Sequence, residues 1–528
     1  MMSSSVGGDS SSSSNSPSLV PPSVPTPSRL SILLSRDLIA RFVLVPDIIL
    51  ENSVKETFSK KGAGLSNEER IQISRRVLGC SCNRRWLLHV VEKSGVEEGV
   101  VEEKDGKAGE NSEESDSRVE GLKSAEGSAS SLEAALTEQS AHAAQIRAGF
   151  LLLAYMIAFE ESESIRRQET ARILEIEDGR LRRVENFIHS AELSDSLPED
   201  PTHRLAVQHS LPDWMAESLV KDFGVAVCSL VGRVSNEAGP THLRVNTLKT
   251  DRETLQQRLL ESDERVHTET LKWSTWGLSV PTKMNVWGNE GWRGGEFEVQ
   301  DEGSQLIAQS CVAKPGERWL DLCAGSGGKT LGLAAAMQNE GVIVACDVDR
   351  NKLDNLKARC KRAGVSIVEV VVLSDGEELE TLTEKGHCRF DGILVDAPCS
   401  QLGILRRHPS VRFRLKEAEV ELLPALQIRL LRLAESLVCP SSGRVVYATC
   451  TLRRKENEDV VSNGSLTTSY ECVTLLPNLL QGGQGGDSGL PPSRLLPDYF
   501  GDGFFIACSV KGGLENLPLE KEHIKCSK

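Results

Sequence analysis

The 528-residue chain has no apolar run long enough to cross a bilayer. The longest, Ala148 to Phe159, is about half of what a membrane helix needs and is closed by Arg147 and Glu160. Paired zinc spacing is also missing. Fourteen cysteines are a modest density, and Cys80-Ser81-Cys82 is too tight for a standard site and has no matching pair, so no metal is expected. The cysteines read as buried apolar residues of a reducing, intracellular protein. An excess of positive charge is absent too, at a net −15. That total argues against nucleic acid only until its source is located. Residues 101–130 alone hold nine acids against four basic residues within a Gly/Ser/Glu stretch, so local charge has to decide the partner.

The length implies two or three domains. Residues 1–28 form a Ser/Pro-rich tail, either a loose transit peptide or simply disordered, and 29–94 have mixed apolar spacing with no assignable role. An acidic flexible linker covers 95–130. From 131 to 235 the spacing is helical, with Leu132, Leu136, Ile146, Phe150, Leu153, Ile157, Ile173, Leu181, Val184, Phe187 and Ile188 as core positions. Arg166, Arg167, Arg172, Arg180, Arg182 and Arg183 form either a solvated face, the commoner case, or a surface for RNA. Residues 236–300 suit a small α+β subdomain whose tryptophans 273, 276, 287 and 292 are expected to pack its core rather than stack on bases. Residues 301–512 form the large domain, and 513–528 a tail.

The large domain is organised around Trp319 to Thr330, where an apolar strand breaks into a Gly/Ser turn and restarts as a helix from Leu331. Glycines 325, 327 and 328 let the backbone turn and let a ligand approach the free N–H groups of the helix start. Gly328-Lys329-Thr330 spells the end of a phosphate-binding loop, but that motif needs a glycine where Cys323 stands. A second strand, Gly341 to Asp347, ends in an acid suited to a ribose diol, which favours a nucleoside-bearing cofactor. Further strands at Val365 to Leu373, Phe390 to Val395 and Arg444 to Tyr447, with helices around 351–363 and 416–438, predict an α/β fold with a doubly wound, mostly parallel sheet. Pro424 is expected to kink the last helix or mark its first turn. Asp321, Asp347, Asp375 and Asp396 fall at or near strand ends, where ligands of such sheets lie.

Two more stretches carry the chemistry. Asp396-Ala397-Pro398-Cys399-Ser400 and Tyr447-Ala448-Thr449-Cys450-Thr451 each place a cysteine just past a strand end. With these in hand, residues 205–510 resemble the Nop/Sun, RsmB-like family of S-adenosylmethionine-dependent RNA cytosine-5 methyltransferases. The match includes the lead-in VQDEGSQL, the cofactor loop, both cysteine loops and the closing Gly501-Asp502-Gly503-Phe504-Phe505. It implies a Rossmann-like class I methyltransferase domain behind the small subdomain and a NusB-like helical region. It also implies S-adenosylmethionine as cofactor, RNA (ribosomal or transfer) as partner, and a monomer in the nucleus, nucleolus or cytoplasm, organelle import being weakly supported.

On the same resemblance Cys323, Ala324, Gly325, Ser326, Gly327, Gly328, Lys329, Asp347, Asp375 and Asp396 contact the cofactor. Lys329 and Asp396 also lie near the target base, Cys450 attacks carbon 6 of cytosine, and Cys399 assists release. The chemistry suits the residue types, because carbon 5 is a weak nucleophile until a thiolate adds at carbon 6. Arg453, Arg454 and Lys455 either favour that thiolate or bind phosphate. Together with Arg406, Arg407, Arg412 and Arg414 they form an expected RNA track. Three stretches depart from the family pattern: Ala-Gly-Ser-Gly-Gly replaces Ala-Ala-Pro-Gly-Gly, Gln401 replaces a common glycine, and Thr451 replaces serine. A non-catalytic scaffold would predict loss of a cysteine or of the ribose acid. A DNA-type enzyme would use Cys399 as nucleophile, which retention of Cys450 disfavours.

Overall fold

A computed structural model describes residues 28–44, 50–61, 64–96, 138–160, 164–281, 284–373, 389–464, 470–473, 494–495, 497 and 501–511. Residues 1–27 of the tail, 97–130 of the acidic stretch, Leu132, Leu136, Asp375 and the 513–528 tail lie outside the described residues.

The helices Arg29–Leu44, Asn67–Cys82 and Arg84–Lys93 share one core with Glu138–Phe159 and Asp178–Ile188, through Ile32, Leu38, Val77 and Leu87 against Phe150, Leu153, Leu181 and Val184. The 29–94 region, which had no assignable role, and the helical stretch beyond the acidic segment therefore fold as one body. The reason is the 148–159 apolar run. A helix apolar on every face must be surrounded, and helices from both sides of the acidic segment surround it. Three of the six arginines weighed as an RNA surface bond inside this body: Arg167 to Glu185 at 2.9 Å, and Arg180 and Arg183 to the carbonyls of Val96 and Gly95 at 3.1 and 3.2 Å.

The helices Pro201–Gln208 and Asp213–Ser235 behave differently. Their Leu205, Met215, Leu219 and Val231 pack on Leu402, Leu405, Val411 and Leu452, which flank the two cysteine loops. The small subdomain follows as an antiparallel sheet of order β2-β3-β1-β4, made of β1 (Thr241–Val245), β2 (Glu269–Thr270), β3 (Gly277–Val280) and β4 (Phe297–Val299). Asp251 caps the intervening helix Arg252–Glu261, accepting from Thr254 N at 2.7 Å. The expectation that all four tryptophans pack its core needs correction. Trp292 does, but Trp273 leans on the large domain and Trp287 is 67% exposed. Trp287 sits in a short turn outside any sheet face, where apolar periodicity carries no information.

The large domain holds β5 (Arg318–Asp321), β6 (Val342–Asp347), β7 (Val368–Val372), β8 (Gly392–Asp396), β9 (Arg444–Thr449), β10 (Tyr470–Val473), β11 (Arg494–Leu495) and β12 (Phe504–Lys511). The order is β10-β12-β9-β8-β5-β6-β7 with β11 on β12. β5 to β9 run parallel, and β12 lies antiparallel to β9. This is the predicted α/β, mostly parallel sheet, with buried apolar runs in the central strands because helices cover both faces. The helix expected around 416–438 is two helices, Glu417–Val420 and Leu423–Leu437, and Pro424 occupies the first turn of the second.

Arg412, expected on the RNA track, is instead a fully buried tie between domains. It donates to the carbonyls of Cys82 and Ser235 and to Asn236 Oδ1. Removing it strands buried acceptors, so Arg412→Ala should cost about 1–3 kcal/mol of stability. Its midpoint in thermal or urea unfolding should fall, whereas the salt dependence of RNA binding should stay at the wild-type slope.

Candidate active site

β5 ends in Asp321, and the chain turns through Gly325 and Gly327, with φ of 54° and 80°, into the helix Gly328–Ala336. A Cβ on Gly327 would lie 2.0 Å from Leu356 Cδ1, so glycine is required there by sterics as well as by φ. Asp347, at the end of β6, accepts from Gly325 N at 2.8 Å through one oxygen and from Asp349 N at 2.9 Å through the other. Each oxygen keeps a lone pair for a diol. Beside Gly325 an added Cβ would meet nothing within 4 Å, so the loop opens onto space at the helix N-terminus. These residues fit a nucleoside-bearing cofactor: Asp347 for the ribose, the open turn for close approach. Asp321 is less exposed than its strand-end position suggests. Burial pushes its carboxyl up to about 7, only partly offset by the Thr330 hydroxyl at 2.7 Å.

The other expected residues meet at the ends of β8 and β9. Lys329 Nζ lies 2.5 Å from Asp396 Oδ2, and the two side chains are 13% and 28% exposed. Burial alone would lower the Lys329 ammonium. The attraction of Asp396 outweighs it, and the net shift is upward. The sulfurs of Cys399 and Cys450 are 3.3 Å apart. Their hydrogen bond and burial push the Cys399 thiol well above its usual range. Lys329, Asp396, Cys399 and Cys450 thus converge, with Cys323, Ala324 and Ser326 in the adjoining turn.

A buried brace, absent from the sequence reading, holds the two cysteine loops together. Glu456 is fully buried and accepts from Ser400 N at 2.9 Å, Ser400 Oγ at 2.5 Å and Gln427 Nε2 at 3.1 Å. Burial raises its carboxyl above the ordinary value. Ser400 Oγ also meets Thr451 Oγ1 at 2.7 Å, so threonine serves where the family usually has serine. Asn457 links Thr449 and Thr451 O at 2.6 and 3.0 Å. The backbone adds a third tie. Gly403 N donates to Cys450 O at 2.9 Å and Gly503 N to Gly403 O at 2.8 Å, an approach that leaves no room for a Cβ on Gly403. Glu456 and Asn457 follow Cys450 closely in the chain, but only the fold shows what they reach.

The RNA track needs correction. Arg406 and Arg407 bind Asp502, and Arg407 also reaches Asp301 at 3.1 Å. Arg453 is buried against Glu421 and Glu456, and Lys455 binds Glu421 at 2.7 Å, so neither of these two is directed at Cys450. The positive group beside that thiol is Lys329. Local charge in the sequence cannot reveal this, because the neutralising acids come from distant segments. Of the seven basic residues, Arg454 is exposed and Arg414 half-buried.

Among the described residues no helix is long and apolar enough to cross a membrane, and no cluster of three or more His, Cys, Asp or Glu is placed to hold a metal. Residues 309–509 match the family model "16S rRNA methyltransferase RsmB/F", and 211–287 match its ferredoxin-like domain, which takes in the helix Asp213–Ser235. The probable ribosomal RNA small subunit methyltransferase B of Bacillus subtilis is 32% identical over 319 residues, 59% of this chain and 69% of that protein. The 28S rRNA (cytosine-C(5))-methyltransferase of Mus musculus is 30% identical over 57% of this chain and 39% of its own length. The solved structure of PH0851 matches with a TM-score of 0.65 and 22% identity over 92% of this chain and 99% of that one, a likeness of fold that includes the helical body. The chain therefore belongs to the RsmB/F family of S-adenosylmethionine-dependent RNA cytosine-5 methyltransferases.

Proposed function

We propose that this chain methylates carbon 5 of a cytosine in ribosomal RNA as a monomer, with Cys450 as the attacking thiol and Cys399 as the group that completes release. The observation that carries the reading is the 3.3 Å approach of the two sulfurs beside the Lys329–Asp396 pair. The ribosomal substrate is supported by relatives named as ribosomal RNA methyltransferases, and the monomer by the convergence of all these groups from one chain.

S-adenosylmethionine supplies an electrophilic methyl group. Cys450 adds to carbon 6 of an unstacked cytosine, which makes carbon 5 nucleophilic. Lys329 stabilises negative charge near that sulfur, and Asp396 fixes the ammonium. The raised Cys399 thiol keeps its proton, so it does not compete for carbon 6. After methyl transfer a base removes the carbon 5 proton, its electron pair forms the carbon 5–carbon 6 double bond, and the Cys450–carbon 6 bond breaks as the Cys399 thiol, 3.3 Å away, gives its proton to the departing Cys450 sulfur. Glu456 is a positioning residue that fixes the loops.

Cys450→Ala should abolish turnover and leave no protein–RNA adduct. Cys399→Ala should still attack and stall, giving a slow band on a denaturing gel with ribosomal RNA and cofactor. A band from Cys450→Ala with none from Cys399→Ala would reverse the assignment in favour of the DNA-type mechanism. Bisulfite sequencing of ribosomal RNA from cells lacking the protein should show a missing 5-methylcytosine; an unchanged pattern would remove the ribosomal substrate.

Glu456→Ala should lower kcat by about a hundredfold through loop misplacement while cofactor affinity, read by calorimetry, stays unchanged. Glu456→Gln should be mild, since its amide nitrogen can donate to Ser400 Oγ while its oxygen keeps the other donors. Because burial raises the Glu456 carboxyl in the fold, ionising it costs stability. Wild type should thus lose stability relative to Glu456→Gln as the pH rises above about 4.5, the difference closing at lower pH. Paired thermal melts across that range check the sign.

A further inference from the structure

The cofactor loop is held by side chains that do not belong to it. Ser326 stands where the family usually has proline, so the turn lacks that covalent restraint on its backbone. Besides Asp347, two arginines grip its carbonyls. Arg359 Nη1 donates to Ser326 O at 2.7 Å, and Arg244 Nη1 donates to Gly328 O. Both lead into the small subdomain. Arg244 is a residue of β1, 3% exposed, and it also donates to Gln300. Arg359, on the helix Arg350–Ala363, is held through Nη2 by Glu298 of β4 at 3.1 Å. The other Glu298 oxygen takes Arg362, whose guanidinium lies 4.2 Å over the Trp292 ring.

Arg244 and Glu298 are direct cross-strand partners in the β1–β4 pairing. One cross-strand pair of the small sheet therefore reaches two carbonyls of the cofactor turn, Arg244 directly and Glu298 through Arg359. Fixing those carbonyls fixes the planes of the peptides they belong to, and so the direction of the N–H groups at Gly327 and Lys329. The Gly327 N–H closes the turn on Ala324 O at 2.9 Å, and that of Lys329 lies in the first turn of the helix whose start faces the ligand.

We propose that this pair makes the geometry of the cofactor turn depend on the seating of residues 241–299, with Arg359 as the positioning residue between them. Cofactor affinity and seating of the subdomain are then coupled, and the coupling is reciprocal: bound cofactor tightens the subdomain as much as a seated subdomain tightens cofactor binding. The inference rests on the assignment of S-adenosylmethionine to this loop. A ferredoxin-like module engaged by RNA would in this way prepare the methyl-donor site without touching it.

The test uses the full chain and S-adenosylmethionine alone. In wild type, saturating cofactor should slow amide hydrogen exchange in β1 and β4. Glu298→Gln and Arg359→Ala should each weaken binding by about tenfold in calorimetry, and the double variant should be no weaker than the single ones. Arg359→Ala should also reduce cofactor-induced protection of β4, leaving the part that Arg244 carries into β1, whereas a merely structural brace would leave protection of both strands unchanged. Arg359→Lys keeps the charge but not the two-armed fork, so it should recover only part of the affinity. Unchanged exchange in cofactor-saturated wild type, or wild-type affinity in the folded variants, overturns the proposal. Should the alanine variant not fold, the wild-type exchange experiment and Arg359→Lys still decide. Failure of wild type to bind S-adenosylmethionine at all would instead strike the cofactor assignment.

Discussion

Adjacent parallel strands bring their ends about 4.8 Å apart, but that alone does not bring two cysteine sulfurs to within 3.3 Å of each other. The loops after β8 and β9 must also lean together, and a buried carboxylate makes them do so. Glu456 cannot be buried without donors, and the donors available are Ser400, from the loop of Cys399, and Gln427 beneath it. The cost of an unsatisfied carboxylate is thereby converted into a fixed spacing between sulfurs. Gly403, wedged between Cys450 O and Gly503, sets the same spacing from the backbone side.

The same logic governs the basic residues. Asp502 of the closing motif holds Arg406 and Arg407, and Arg407 continues to Asp301 of the lead-in. Segments some two hundred residues apart are tied by charges that look, in sequence, like a surface for phosphate. Buried or half-buried pairs of this kind contribute placement more than stability, because desolvation cancels much of the attraction. Arg454, by contrast, stays exposed on the surface.

The departures from the family pattern have distinct physical meanings. Gln401 adopts a φ of 61°, the left-handed region, which explains why glycine is common there and implies a local cost of about 1–2 kcal/mol. Thr451 keeps the hydroxyl that serine would present to Ser400. Ser326 leaves the cofactor turn to be held by Arg359 and Arg244 instead of by a proline ring.

The sequence by itself determined the parallel sheet, the glycine turn and the acids at strand ends, because apolar runs and glycine requirements are local. It also singled out the two cysteines, Lys329 and Asp396, which the fold brings together, because motif spacing along adjacent strand ends is legible without knowledge of the fold. Tertiary structure alone decided what each charged side chain faces. Asp321 turns inward under Thr330, Arg412 ties the helical body to the cysteine loops, and Glu456 becomes a brace, since each role depends on a partner far away in the chain. The union of the 29–94 helices with those beyond the acidic segment was likewise invisible in sequence. A shared core is a property of packed faces, and no local periodicity says which face meets which.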